Sequence, residues 1–357
     1  MDPTENPVQW TYRKGRGAIS NPPGRYESEE IEFQHDEREY EEEALQTRYF
    51  DAPAKSLISY NQSPDIALDR SINPYRGCEH GCAYCFARPN HAYLGLSPGL
   101  DFETQIFCKT NAAEILAHEL RAPRYRCGTI GLGYNTDAYQ PVERQLKITR
   151  SILEVLREFR HPVSVITKSS LLERDMDILQ GMAREGLAEV VVSVTTLDAK
   201  LSRILEPRAG APHSRIALVR ALSQAGIPVG VLAAPMIPFL NDGELEDIVK
   251  AVAEEGAYCA RYVVLRLPHE LKQLFREWLE QHVPQRAERI MDTVRSLHGG
   301  ADYDPQFGRR LSGQGEFARL LRQRFALACK RHGLGGQRRP LRTDLFRVPS
   351  DQADLFE

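Results

Sequence analysis

Residues 71–88 read SINPYRGCEHGCAYCFAR, and this stretch decides how the rest of the chain is interpreted. It places Cys78, Cys82 and Cys85 in the spacing C-x3-C-x2-C, directly after a short predicted strand. Three thiolates this close in sequence can bind three irons of a cubane [4Fe–4S] cluster and leave the fourth iron without a protein ligand. Gly77 and Gly81 allow the backbone to turn tightly around such a cluster.

Two other uses of these cysteines are open. A structural zinc ion normally has four Cys or His ligands, and His80 is a candidate fourth ligand, although its place inside the same loop makes a tetrahedron awkward to close. A thioredoxin-like redox pair at Cys82 and Cys85 would leave Cys78 without a role. The cluster interpretation accounts for all three cysteines, with His80 as an ordinary loop side chain.

The composition of the chain is that of a globular protein. Of its 357 residues, 42% are hydrophobic and 27% are charged, which excludes fibrous and membrane-spanning classes. No apolar run approaches the roughly 18 residues of a spanning helix, and the first residues lack the pattern of a secretory signal. We therefore expect a cytoplasmic protein without membrane contact, in which clustered cysteines are metal ligands or catalytic thiols.

Between residues 66 and 268, short apolar runs alternate with segments of helical periodicity, which predicts βαβ units and a parallel sheet. This pattern favours a partial or complete α/β barrel, and an open doubly wound sheet is the alternative. The predicted strands are 71–73, 105–109, 129–133, 163–167, 189–194, 227–233 and 262–267. The predicted helices are 112–120, 143–159, 171–184, 214–225 and 244–255.

Three further regions flank this core. Residues 1–65 form an N-terminal extension whose stretch 27–43 has ten acidic residues and one basic residue, Arg38. This stretch and the Gly/Pro/Arg-rich segment 14–26 contain too little apolar surface for a fold of their own, so we expect a largely disordered, solvated acidic arm. Residues 269–334 predict a helical extension, and 335–357 form a basic tail.

The cysteine motif, with Tyr84 at its aromatic position, resembles the signature of the radical S-adenosylmethionine (SAM) enzymes. The flanking sequences at 72–78, INPYRGC, and 136–143, TDAYQPVE, are similar to the subgroup named after spore photoproduct lyase, whose members are often labelled DNA repair photolyases. The resemblance covers about residues 66–270. It implies a barrel of the radical SAM type and an enzyme of lyase or transferase type.

The resemblance also implies the cofactors. The amino and carboxylate groups of SAM would bind the open iron of the [4Fe–4S] cluster, and an electron donor of flavodoxin or ferredoxin type would supply one electron. The resulting 5′-deoxyadenosyl radical would abstract hydrogen from the substrate. Residues at the carboxyl ends of the strands are then expected to hold SAM and substrate.

Candidate SAM-binding residues follow the predicted strands. Beside Tyr84, they are Asn135, Thr136 and Asp137 for the methionine amine, Lys168 and Arg208 for its carboxylate, Ser193 for the ribose, and Met236 for the adenine. Each has a structural alternative, since Lys168 and Arg208 can be ion-paired and Met236 can be core.

Spore photoproduct lyase uses a cysteine near the motif after its second strand as a hydrogen-atom donor. The best match to that position lies near Asn135, which is not a cysteine, and Cys127 lies eight residues earlier. Tyr134 and Tyr139 are candidates for a radical relay, with packing as the alternative. We expect Cys108, Cys127, Cys259 and Cys329 to be small apolar residues.

The substrate is left open by these observations. Damaged DNA is one hypothesis, and RNA, a peptide or a small metabolite is another; a non-enzymatic cluster-binding or regulatory protein is a third. Residues 305–347 contain eleven Lys and Arg against two acids, a candidate nucleic-acid surface. Its predicted helix 316–331 also has an apolar face that must dock on the core, so these cations can equally be its solvated side. The cations are Arg309, Arg310, Arg319, Arg322, Arg324, Lys330 and Arg331, extended by Arg338 and Arg339.

Overall fold

A computed structural model describes residues 13–26, 45–335 and 340–349 of the chain. The acidic stretch 27–43 and the pair Arg338 and Arg339 lie outside the described residues. Ten strands are present in the described part. They are β1 (Arg48–Asp51), β2 (Ser59–Tyr60), β3 (Arg70–Ile72), β4 (Tyr75–Arg76), β5 (Gln105–Cys108), β6 (Ile130–Leu132), β7 (Val163–Thr167), β8 (Ala188–Ser193), β9 (Val229–Met236) and β10 (Cys259–Val264).

Seven of these strands form the main sheet, in the order β10-β9-β8-β7-β6-β3-β2. The six strands from β3 to β10 in this order are parallel, and β2 pairs antiparallel with β3. The edge strands β2 and β10 do not pair with each other in the described part, so the sheet is an open, partial barrel. The predicted α/β architecture with a parallel sheet is confirmed.

Helices connect the parallel strands and follow them. They are α1 (Asp101–Thr104), α2 (Ala112–Leu120), α3 (Glu143–Leu146), α4 (Ile148–Glu158), α5 (Met176–Arg184), α6 (Ala199–Leu205), α7 (Pro212–Gln224), α8 (Leu245–Glu254), α9 (Leu271–His282), α10 (Pro284–Leu297) and α11 (Gly315–Arg331). The predicted helix 143–159 is divided at Lys147, whose φ of 54° is left-handed. The predicted helix 171–184 begins as a 3-10 helix, Ser170–Asp175.

One predicted strand lies in a different sheet. Residues 105–109 were expected in the barrel, but β5 pairs with β1 and β4 in a separate sheet of order β1-β5-β4. The physical reason is that β6 and β2 occupy both edges of β3 and leave no free edge beside it. β4, which follows β3 along the chain, is one edge strand of this three-stranded sheet.

Two apolar clusters hold the helices in place. The larger one lies between the barrel strands and the surrounding helices, with Ile152 and Leu156 of α4 fully buried. The second joins α9 and α10 to the strand ends through Phe275 and Trp278, which confirms the helical C-terminal region. Within the predicted basic tail, Phe346 packs against Phe159.

In the described part of the chain, every helix is too short or too polar to span a lipid bilayer.

Candidate active site

The loop with the three cysteines, residues 77–88 and here called the cluster loop, lies at the carboxyl edge of the parallel sheet, where β3 ends. Gly77 and Gly81 have φ of 80° and 64°, the left-handed conformation that favours glycine. The Cys78 amide donates to the Phe102 carbonyl at 2.9 Å, which attaches the loop to the segment before β5. The loop thus turns back towards the barrel immediately after β4.

The three thiols lie near one another. Cys78 and Cys82 are buried and Cys85 is half-buried, and all three are free. Burial raises the pKa of Cys78, and the nearby charges of Asp137, Cys82 and Cys85 raise it further. This donor set fits a [4Fe–4S] cluster, since each cysteine would bind a different iron.

His80, the candidate fourth ligand of a zinc ion, has a partner within the protein. Among the described residues, no three His, Cys, Asp or Glu side chains converge on a point where one metal ion could bind. The His80 ring, considered above as a fourth ligand, has its Nδ1 atom 3.4 Å from the Asp137 carboxylate. Cysteines that bind separate irons do not need to converge.

A fully buried ion pair between Arg88 and Glu103 fixes the cluster loop from behind. The Arg88 guanidinium also donates to four backbone carbonyls, two in the cluster loop and two in the segment before α1. These belong to Gly81, Cys82, Pro98 and Gly99. Because all of its donors are used, this side chain ties the middle of the loop to the segment before α1.

Residues 15–25, here called the N-terminal strap, lie across the cluster loop. The amides of Gly17 and Ala18 donate to the Glu103 carboxylate at 3.0 and 2.7 Å. Any side chain at Gly17 would collide with the loop, since its Cβ would lie 1.6 Å from the Gly81 carbonyl oxygen. The expectation that 14–26 lacks a fixed place is therefore corrected. Its contacts use backbone amides and polar side chains, which apolar content does not report.

The strap also reaches the C-terminal helices. Arg25 pairs with Glu270 just before α9 at 2.9 Å, and the Ser20 hydroxyl donates to Glu277 within α9. The cluster loop, the strap and α9 therefore form one connected unit.

A buried polar network surrounds Tyr84. Its hydroxyl donates to Glu206 and lies 3.1 Å from the Thr195 hydroxyl, while Arg215 pairs with the same carboxylate. The Lys168 ammonium lies 5.9 Å from the centre of the Tyr84 ring. Burial alone would lower the pKa of Lys168, but the charges of Cys82 and Glu206 raise it, so this residue stays cationic.

Glu206 and Arg215 were not among the predicted SAM-binding residues. A signal was available, because Glu206 lies two residues before Arg208, which was a predicted SAM-binding residue. Its partner Arg215 lies nine residues further on, in α7, where no motif marks it.

Asp137 is held by the protein itself. Its carboxylate accepts hydrogen bonds from the Thr167 hydroxyl at 2.7 Å and from the amides of Tyr139 and Lys168 at 2.8 Å each. Burial raises the pKa of Asp137. The charge of His80 and the backbone donors lower it by more, so the pKa lies at about 2. This carboxylate therefore joins the ends of β6 and β7 to the cluster loop.

Asn135 and Thr136 follow β6, and their amides both donate to the side chain of Asn73, at 2.8 and 3.3 Å. They line a cavity of about 310 Å³ beside the cluster loop, which also includes Arg76 and Asn90. Asn73 was quoted in the motif but given no role, and here it positions the turn after β6.

Three other predicted SAM-binding residues have different surroundings. The Arg208 guanidinium lies 3.3 Å from the Glu79 carboxylate, the ion-paired alternative. Met236 is 1% exposed and belongs to the apolar core. Ser193 ends β8 and is buried, and its carbonyl accepts from Arg215. Their contacts with SAM stay predictions.

The two relay candidates also have structural surroundings. The Tyr134 hydroxyl lies 3.1 Å from the Ser164 hydroxyl on β7. Tyr139 is fully buried in the apolar core, where burial and the charge of Asp175 raise its pKa. A radical relay through these residues stays a prediction.

The remaining four cysteines lie away from the carboxyl ends of the barrel strands. Cys108 and Cys329 are buried in the apolar core, in agreement with the prediction. Cys127 and Cys259 are half-buried and lie at the amino-terminal ends of β6 and β10. Cys127 therefore lies at the wrong end of β6 to serve as a donor beside the cluster loop.

Comparison with known proteins identifies the family. The sequence model of the radical SAM superfamily matches residues 72–252, which includes the cluster loop and the strands from β4 to β9. The chain belongs to the radical SAM superfamily. It is 36% identical over 290 residues to an uncharacterized protein of Mycobacterium tuberculosis, covering 80% of this chain and 81% of that protein.

Other relatives agree. An uncharacterized protein of Methanocaldococcus jannaschii is 27% identical over 219 residues, which are 61% of this chain and 78% of that one. Structures of spore photoproduct lyase match with a TM-score of 0.54 at 16% identity, covering 80% of this chain and 79% of theirs. This likeness establishes the common fold and leaves the substrate open.

Radical SAM enzymes use a [4Fe–4S] cluster and SAM, so the chain is an enzyme with these cofactors. The non-enzymatic alternative is set aside. Cys78, Cys82 and Cys85, all free, are the candidate ligands of the cluster.

Replacing Glu103 by Gln leaves the charge of Arg88 buried without a counter-ion, so we expect the free energy of unfolding to fall by about 3 kcal/mol. The measurement is urea unfolding of the protein, with iron content after reconstitution as a second readout. Glu316→Gln removes the partner of Arg319 on the surface and is the control, with no measurable change expected. Equal effects of the two variants would contradict this role of Glu103.

Replacing Gly17 by Ala should displace the strap, because the added methyl group has no space beside Gly81. We expect faster tryptic cleavage after Lys14 and Arg16, and mass spectrometry of the fragments over time measures its rate. Gly181→Ala is the control, since a methyl group there meets no atom within 4 Å. Unchanged protection in the Gly17 variant would show that the strap does not depend on this contact.

Proposed function

We propose that the chain cleaves SAM reductively and uses the 5′-deoxyadenosyl radical to abstract hydrogen from a substrate at the open end of the partial barrel. The observation that carries this proposal is the grouping of three free thiols in a loop held by Arg88 and Glu103 at the carboxyl edge of the sheet. When bound there, the reduced cluster supplies the electron that breaks the S–C5′ bond of SAM.

The chain's own residues would bind and orient SAM. Lys168 keeps its positive charge near Cys82 and is our candidate for the methionine carboxylate. Asn135 and Thr136 face the cavity beside the cluster loop and are candidates for the amine side. Ser193 at the end of β8 remains the candidate for the ribose. Asp137 and Arg208 are bonded to other groups of the protein, so their role in SAM binding would be to hold the cluster loop in place.

For the substrate, we propose a damaged pyrimidine in DNA as the first candidate. The support is the fold shared with spore photoproduct lyase, one structure of which holds a dinucleoside spore photoproduct.

Radical chemistry on RNA, a peptide or a small metabolite is the second candidate, and specific contacts favour the peptide or small metabolite over either nucleic acid. In the predicted basic surface, Arg310 pairs with Asp65 and Arg324 with Glu246, each at 2.6 Å. Arg319 pairs with Glu316. Cations already paired within the protein release fewer counterions from DNA, so they contribute less to binding.

The proposed reaction predicts that anaerobically reconstituted protein, supplied with dithionite and SAM, forms 5′-deoxyadenosine. Cys82→Ala should lose the visible absorption of the cluster and all product, because one iron loses its ligand. Cys329→Ala, a buried cysteine of the core, should keep both. Formation of product by cluster-free protein, or none by cluster-loaded wild type, would exclude the proposal.

The two substrate candidates are separated by binding to undamaged DNA at two salt concentrations. A DNA-acting enzyme should bind more weakly at higher salt, with a slope set by the number of phosphate contacts. The matched variant Lys330→Ala should reduce that slope by about one contact. An affinity that does not respond to salt would remove DNA in favour of the second candidate.

A further inference from the structure

The guanidinium of Arg266 lies over the ring of Phe86, the residue that directly follows Cys85 in the cluster loop. The guanidinium carbon is 4.1 Å from the ring centre, a distance at which a cation is attracted to the face of an aromatic ring. Arg266 follows β10 by two residues, so it lies at the carboxyl edge of the sheet, as the cluster loop does. The contact therefore joins the edge strand β10 to the third cysteine of the motif.

Hydrogen bonds on both sides of the backbone hold Arg266 in this place. The Leu265 amide donates to the Met236 carbonyl at 3.1 Å, and the Leu265 carbonyl accepts from His298 Nε2 at 2.8 Å. The guanidinium itself is hydrogen-bonded to the Tyr303 side chain. The position of this charge is therefore set by the protein, independently of any ligand.

The charge of Arg266 has no carboxylate partner among the described residues. The residue is half-buried, and none of its printed neighbours is an aspartate or a glutamate. Burial lowers the pKa of Arg266, Tyr303 raises it and the charge of Arg310 lowers it, while Cys85 is close enough to raise it. Arginine keeps its proton in proteins, so a guanidinium that is partly removed from water is stabilised by a nearby anion.

Lys168, the other cation near the motif, has different surroundings. Burial raises the pKa of Cys82, Lys168 lowers it and Glu206 raises it again, so that it lies at about 12. A buried carboxylate thus opposes the charge of this ammonium. Arg266 beside Cys85 has no such carboxylate in the described part of the chain, so its positive charge acts on the cysteine without this opposition.

We propose that Arg266, held against Phe86 beside Cys85, raises the reduction potential of the [4Fe–4S] cluster by stabilising its reduced state. This inference rests on the proposed function, in which the cluster must accept an electron. In that step the external reductant loses one electron and the cluster gains it, and no bond forms or breaks. No proton moves to or from Arg266, because the guanidinium stays charged throughout.

Electrostatics gives the direction of the effect. Reduction adds negative charge to a site that already carries thiolates, and a fixed cation nearby makes that addition more favourable. The charge around an iron–sulfur cluster is one of the factors that set its potential. The Phe86 ring covers one face of the guanidinium, so water screens the interaction less than it would at a fully exposed arginine.

The test is Arg266→Gln, which removes the charge and keeps a polar side chain. The measurement is the midpoint potential of the reconstituted protein, from a redox titration followed by electron paramagnetic resonance in the absence of SAM. We expect the equilibrium constant for reduction to fall about tenfold, which corresponds to about 59 mV for one electron. Iron and sulfide content should be unchanged. Arg266→Lys keeps the positive charge and should retain most of the wild-type potential.

The matched control is Arg289→Gln, because Arg289 on α10 also stacks on an aromatic ring, 3.8 Å from the centre of Phe239. It should leave the potential unchanged. An unchanged potential in Arg266→Gln, or an equal fall in Arg266→Lys or in the control, would overturn the proposal.

Two further outcomes would also overturn it. Loss of iron from both Arg266 variants would assign the residue a structural role, and weaker SAM binding at an unchanged potential would assign it to SAM. The proposed function is tested separately, since it fails if cluster-loaded wild type forms no 5′-deoxyadenosine, whereas the titration without SAM reports on Arg266 alone.

Discussion

The buried ion pair between Arg88 and Glu103 is the interaction on which the cluster loop depends. Removing two charges from water costs several kcal/mol each, and this cost is offset only where the remaining polar atoms are satisfied. Here they are, because the guanidinium donates to four carbonyls besides Glu103 and the carboxylate accepts from Gly17 and Ala18. The pair thus places the cysteines through backbone groups on both sides of the loop, before any cofactor binds.

The pairing of charges within the protein also limits which polar groups can bind a ligand. Asp137, Glu206 and Arg208 each have partners within the protein, so they shape the site rather than offer free bonding capacity. Lys168 is different. Its ammonium lies near Cys82 and Tyr84, and it forms no ion pair with a carboxylate of the described residues. The site therefore divides into a supporting frame of paired charges and a smaller number of groups able to meet SAM.

Much of the barrel could be predicted from the sequence because its strands are short apolar runs, and the predicted strand 163–167 coincides with β7. The failure at 105–109 arose because periodicity identifies a strand but not its partner. The strap was missed because its contacts with Glu103 are made by the amides of Gly17 and Ala18, which no side-chain pattern reports. Arg88 and Glu103 were missed for a related reason: their fifteen-residue separation matches no helical or strand spacing. The cysteine motif, by contrast, carries its chemistry in the spacing itself.

The strap also changes where this fold can be cut. A fragment that begins at residue 66, the predicted start of the core, would retain the six parallel strands of the main sheet and all three cysteines. It would lose both amides that satisfy Glu103 and the bridge from Arg25 to Glu270. A catalytic fragment should therefore begin near residue 15, so that the Glu103 carboxylate keeps its hydrogen bonds from the strap.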